Sequence, residues 1–276
     1  DGIRCEGQIN VKIRNNKISG GAGTTNAVSG IIADLFGVSG LASSYEISYN
    51  EVSVEAGAST SATYGIRALA TGDTVRVHHN TVENCNSLHS SSNFFGIVHD
   101  PTDTTKAAYL NDNIVRNNIH PGTGSATLLG SSGTITKLLI RSNQIHNNQK
   151  TGTSGTMTCI SAANGSVECD SNLIHDNSIP STSGGVVSTL YGYFNNAPPN
   201  VESVHNNTIY NLSIGGTGSS ASMHISGIRS LVSPAAIKSF YENLVYNISS
   251  ISGTFFPGGA FGILSTSGAD TKVHRN

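Results

Sequence analysis

Tryptophan is absent, methionine occurs twice and proline seven times in 276 residues, and only 12% of the residues are charged. That charged fraction is about half of what globular chains carry. Fifteen basic against seventeen acidic residues leave a formal net charge of -2, so no basic field is available for nucleic acid or anionic lipid. No apolar run approaches the roughly 18 residues of a spanning helix, and membrane insertion is not expected. The chain opens at Asp1 without a charged segment followed by an apolar stretch, and so reads as a mature soluble segment. Its cysteines, Cys5, Cys85, Cys159 and Cys169, are too few and too irregular for a disulfide framework or paired zinc ligands. They read as small buried thiols, with a pairing of Cys159 and Cys169 across one rung left open. No cofactor motif is present, and no metal site is expected.

What is abundant is Gly, Ser, Thr and Asn, arranged in a repeat. An apolar residue, two intervening residues, Asn, one further residue and a β-branched residue recur along the whole chain, as in Ile13 to Ile18, Val77 to Val82, Ile140 to Ile145 and Val204 to Ile209. The marker asparagines are Asn16, Asn50, Asn80, Asn113, Asn143, Asn172, Asn207, Asn243 and Asn276, spaced by 34, 30, 33, 30, 29, 35, 36 and 33 residues. Three residues before each marker the chain is always apolar: Ile13, Ile47, Val77, Leu110, Ile140, Cys169, Val204, Phe240 and Val273. Two residues after, it is β-branched at Ile18, Val52, Val82, Val115, Ile145, Ile174, Ile209 and Val245. Four after comes a second polar column of Asn84, Asn117, Asn147, Asp176, Asn211 and Asn247. A Gly-Ile pair precedes most markers, at Gly2, Gly30, Gly65, Gly96, Gly227 and Gly262, with weaker apolar equivalents around Leu128, Ile160 and Val186.

These columns predict an all-β chain: a right-handed, single-stranded parallel β-helix, or β-solenoid, of about nine rungs with three short strands each. One strand starts at Gly-Ile, one ends at the marker, and one carries the β-branched residue, with Gly/Ser/Thr loops such as 20–25, 55–60 and 215–220 between rungs. Identical side chains then stack about 4.8 Å apart in aliphatic columns. The marker Asn is expected to take the left-handed conformation at a sharp bend, with its amide bonded to the next rung's equivalent. A leucine-rich repeat shares part of the pattern. The longer period, the β-branched columns and the scarcity of helix formers between rungs argue against it. Residues 1–276 read as one β-helix domain. The chain begins on a Gly-Ile strand and stops on a marker, with no capping segment at either end. That suggests a piece of a longer solenoid, or end-to-end self-association into a fibre.

The marker motif and the Gly-Ile strand resemble the β-helix repeats of the pectin-lyase-like superfamily. The resemblance covers the whole chain and implies the fold; its members include lyases, hydrolases, epimerases, tailspikes, adhesins and structural surface proteins. The polysaccharide-cutting members carry paired Asp with Gly-His-Gly, a calcium-binding Asp cluster with Arg, or Asp-Pro-His-Glu, and none of these occurs. The nearest fragment is His99-Asp100-Pro101.

Two clusters are candidates for function. On the Gly-Ile strand Glu6, Asp34 and Asp100 share one position, with Arg67 on the rung between the last two. Asp34 and Asp100 would lie two rungs apart, about 10 Å, near the upper limit for an inverting carboxylate pair. Three residues after the marker, His146, His175, Tyr210 and Tyr246 fall on successive rungs. They predict a flat aromatic strip suited to sugar rings or a partner protein. His78, His205 and His274 stand two before their markers, on rungs too far apart to share a metal. Glycosylation triplets at Asn164, Asn206, Asn211 and Asn247 are expected by chance in an Asn-rich chain. The composition thus favours an extracellular or cell-surface scaffold with polysaccharide or surface glycan as a partner. The alternatives are a polysaccharide lyase or hydrolase, or a non-catalytic carbohydrate-binding module.

Overall fold

The computed structural model describes all residues except 22–26, 35–43, 58–60, 70–72, 89–90, 102–103, 181–186, 216–222, 232–234, 251–258 and 267. Every regular element among the described residues is a β-strand, and all pairings are parallel. The chain coils into a solenoid with three sheets. One coil is illustrated by Thr63–Ala68, Thr74–His78 and Thr81–Glu83, one in each sheet, with a short fourth strand, Asn86–Ser87, that also joins the third sheet. The first and second sheets hold nine strands each. Coils complete on all three sides are slightly fewer than the nine rungs expected, because the last, with Ala260–Ser265 and Asp270–His274, contributes to only two sheets.

The register follows the sequence columns. Ile47 pairs with Val77, Val77 with Leu110, Leu110 with Ile140 and Ile140 with Cys169, and all five are fully or nearly fully buried. On the third sheet Val82, Val115, Ile145, Ile174 and Ile209 stack in the same way. Burial of each such side chain contributes roughly 1.5–3 kcal/mol, largely offset by backbone ordering, so a coil persists only through its neighbours. The first sheet departs from simple alternation: Gly65 and Ile66 both face inward between outward Tyr64 and Arg67. A Cβ on Gly65 would lie 2.5 Å from the Gly96 carbonyl oxygen of the next coil. In the middle coils the equivalent of Ile97 is Leu129, then Ile160, then Tyr193. Gly192-Tyr193 is therefore the copy expected near Val186, which lies outside the described residues, as do parts of the loops at 20–25, 55–60 and 215–220.

The marker asparagines form a continuous ladder. Asn80 Nδ2 donates to Asn113 Oδ1 at 3.1 Å and to the Ile47 carbonyl at 2.8 Å, and its backbone N–H donates to the same Oδ1 at 3.1 Å. The amide-to-amide bond recurs from Asn16 through Asn50, Asn80, Asn113, Asn143, Asn172, Asn207 and Asn243 to Asn276 at 2.8–3.1 Å. The left-handed residue, however, is not the marker but the one before it. Asn15, Tyr49, His79, Asp112, Ser142, Ser171, Asn206, Glu242 and Arg275 have φ of 54–57°. The marker's amide has to point inward to meet its neighbours, so the bend is taken one residue earlier, at an exposed position where none of the nine residues is β-branched. Such a conformation costs about 1–2 kcal/mol outside glycine.

The second polar column behaves likewise. Asn84, Asn117, Asn147, Asp176, Asn211 and Asn247 have φ of 50–56° and form a second left-handed turn. A buried ladder lies one residue further on. Asn118 Nδ2 donates to Asn148 Oδ1 at 2.8 Å, and Asn148 Nδ2 to Asn177 Oδ1 at 2.9 Å. Leu212 fills that column in the next coil and is buried. Asn148→Leu should therefore fit but strand the Asn118 N–H and amide and the Val115 carbonyl, lowering stability by about 2 kcal/mol or more. Asn147→Gly, at the left-handed turn, should change it by less than about 1 kcal/mol. Urea unfolding midpoints of the two variants check this ordering.

Candidate functional site

Arg67 and Asp100 are brought together: Arg67 Nη2 donates to Asp100 Oδ2 at 2.8 Å, and Ser132 Oγ donates to Oδ1 at 2.5 Å. Burial alone would raise the Asp100 carboxyl; the hydrogen bonds from Arg67 and Ser132 outweigh it and hold the group below the ordinary carboxylate range. Arg67 lies over the Tyr64 ring at 4.5 Å, and Tyr64 stacks on Phe95 at 4.9 Å. Asp34 holds the strand position of Asp100 two coils earlier, as the spacing implies. It shares a cleft of about 650 Å³ with Arg4, Ile32 and Arg67. Asp100 lines a different cleft of about 280 Å³, with Phe95, Thr127, Ser131 and Ser161, and Tyr64 stands in the wall of both. Glu6 is tied to Arg4 at the start of the sheet. The carboxylates thus do not converge on one cleft, and Asp100, held ionised with both oxygens engaged, is poorly suited to donate a proton.

The third-sheet strip forms as the spacing implies. Ring centroids are 4.8 Å apart from His146 to His175, 4.9 Å from His175 to Tyr210 and 5.0 Å from Tyr210 to Tyr246, with planes within 5°. The rings stack along the solenoid axis, so each turns its faces to its neighbours and its edge to solvent. Sugar stacking needs a free aromatic face, and the interior of this strip offers only edges. His175 Nδ1 is 2.6 Å from Asp176 Oδ2, and that contact holds the Asp176 carboxyl low.

A second stack occupies the second sheet: His205 on Tyr241 at 4.7 Å and Tyr241 on His274 at 5.4 Å. The spacing sets His205 and His274 on rungs too far apart to share a metal, and Tyr241, two residues before the marker between theirs, fills the gap in the column. His205 also meets carboxylates. Its Nδ1 is 3.2 Å from Asp170 Oδ1, and its Nε2 is 4.0 Å from Glu168 Oε1. This is the one three-residue group among the described residues with metal-ligand spacing. It already holds a cation: Arg141 Nη2 is 2.7 Å from Glu168 and Arg141 Nε 2.9 Å from Asp170. Of the cysteines, none is paired; Cys159 and Cys169 are buried as free thiols in different sheets, and burial pushes the Cys85 thiol up to about 12.

A second outward patch on the first sheet groups Tyr191, Phe194, His224 and Arg229. Tyr191 stacks on Phe194 at 4.5 Å, and Arg229 Nη1 donates to the Tyr191 hydroxyl at 2.5 Å. Burial, helped by Arg229, lowers His224 to about 4. Against known proteins, the chain matches no family model, no curated protein and no solved structure.

His224 is neutral in the folded chain above about pH 4, whereas an unfolded histidine protonates near pH 6.5. The folded-state value is depressed, so the unfolded state binds more protons between these limits, and stability falls as pH drops from about 6.5 towards 4. Thr156 and Thr189 occupy the same column. His224→Thr should therefore fold and lose less stability over that interval, as melting temperatures measured at several pH values would show.

Proposed function

We propose that this chain is a structural β-solenoid of the cell exterior, a rigid scaffold whose long outer faces serve adhesion or assembly. The supporting observation is that its outward columns are filled by cross-coil pairings. The His146 to Tyr246 and His205 to His274 stacks are examples, as are the ion pairs of Arg14 with Glu46 and Arg116 with Glu83. Such columns stiffen the coil in both directions along its axis. A surface glycan is the partner class, with the polar edges of the strips and the hydroxyl-rich cleft beside Phe95 as contact regions. Self-association end to end belongs to the same reading.

The second reading is a polysaccharide lyase or hydrolase of the pectin-lyase-like type, favoured by the 280 Å³ cleft with Phe95, Asp100 and several Ser and Thr hydroxyls. The Arg67 and Ser132 bonds to Asp100 weigh against it. Incubation with a panel of acidic and neutral polysaccharides is expected to release no new chain ends. Turnover that disappears in Asp100→Ala would replace the scaffold reading with the enzymatic one.

A further inference from the structure

The second-sheet face carries one side-chain arrangement twice. Arg14, Glu46 and His78 on three consecutive coils hold the positions, relative to their markers, that Arg141, Glu168 and His205 hold further along. In each copy the glutamate takes an ion pair from the arginine and faces the Nε2 of the histidine, at 3.2 Å for His78 and 4.0 Å for His205. The first copy has an addition. His79 lies beside His78 with the two Nδ1 atoms 2.9 Å apart, and the rings are nearly perpendicular at 84°.

Neighbouring strand residues ordinarily point to opposite faces. His79 escapes this because it is the left-handed corner residue, with φ of 55°. The same corner brings Asn206 Nδ2 to 3.0 Å from His205 Nδ1, and Ser171 Oγ to 2.8 Å from Asp170 Oδ1. The close approach is thus built into the backbone.

With Nε2–H of His78 donating to Glu46, the lone pair of His78 is left on Nδ1. Two imidazole nitrogens bound at right angles to one ion, with bonds of about 2.0–2.1 Å, stand about 2.9 Å apart. A carboxylate behind a ligating histidine fixes its tautomer and raises its basicity. We propose that His78 and His79 form a two-nitrogen site for a divalent transition-metal ion, with Glu46 orienting His78. Binding requires neutral His79 with its proton on Nε2, which leaves Nδ1 free to ligate. The remaining coordination positions face solvent, since His79 and Tyr49 are exposed and Tyr49 stacks on His79 at 4.8 Å. Imidazole ligands suit Cu²⁺, Ni²⁺ and Zn²⁺, of which Cu²⁺ binds most tightly. The Glu168, Asp170 and His205 group is the weaker candidate, because Arg141 lies on both carboxylates.

The test is titration of the full chain with Cu²⁺, read by calorimetry and by electron paramagnetic resonance. One tight site per chain with coupling to two nitrogens is expected. His79→Asn is compatible with the corner, where other coils carry Asn15 and Asn206, and should weaken binding at least tenfold with an unchanged far-ultraviolet spectrum. If that variant misfolds, His78→Asn serves, since Asn111 holds the same column position. Glu46→Gln should weaken binding by about tenfold, and His205→Ala should leave it unchanged. Unaltered affinity in a folded His79→Asn or His78→Asn, loss in His205→Ala, or no two-nitrogen signal in the parent chain would overturn the assignment.

Discussion

Among the described residues, each coil of this protein bonds to other coils only directly above and below it, so the side chain at any position must suit its own equivalent one coil away. The marker asparagines meet this constraint fully. Each carboxamide receives from the preceding coil and donates to the next, as Asn113 does between Asn80 and Asn143. A second donation reaches a backbone carbonyl of the preceding coil, as from Asn113 to Val77 at 2.8 Å. A buried amide with all partners in place is stable where a single missing rung would leave two orphaned groups. The ladder therefore fixes the register, and the aliphatic columns follow it.

The same constraint shapes the surface. Aromatic residues on successive coils have little choice but to stack face to face, which gives strips of ring edges rather than open platforms. Charged residues pair with opposite charges one coil away, as Arg116 does with Glu83. Exposed ion pairs of this kind contribute little individually; their effect here is to tie neighbouring coils together along the outer faces. Function on such a molecule is expected where the repeat is interrupted. The cleft beside Phe95 arises where Thr127 and Gly130 follow larger residues on the neighbouring coil, and the His78 and His79 pair arises where a corner residue doubles its neighbour's chemistry.

The interior has its own interruption. Glu202 and Lys238 take over a second-sheet column that is Val75, Ala108, Leu138 and Val167 in earlier coils. Both are fully buried, and Glu202 accepts from the Tyr193 hydroxyl at 2.7 Å, Asn195 Nδ2 at 3.1 Å and Ser230 Oγ at 2.6 Å. Those donors come from the first sheet, so the glutamate ties two sheets together across the core. Buried charge of this kind persists only when its partners are supplied.

Periodicity alone determined the coil, its three sheets and the amide ladder, because a parallel solenoid converts sequence spacing directly into spatial contact; the short fourth strands, such as Asn86–Ser87 and Ile119–His120, carry no marker of their own. It also brought His146, His175, Tyr210 and Tyr246 into one column. What the spacing left undecided is everything set by backbone torsion and by contacts across the corners. The left-handed residue precedes the marker, and the second ladder is Asn118, Asn148 and Asn177 rather than the column beside it. Adjacent asparagine columns look alike in sequence, and only the turn of the chain decides which faces inward. The meeting of His78 with His79 has the same origin. Spacing gives position along a coil, whereas the direction in which a side chain leans is decided by its three-dimensional neighbours.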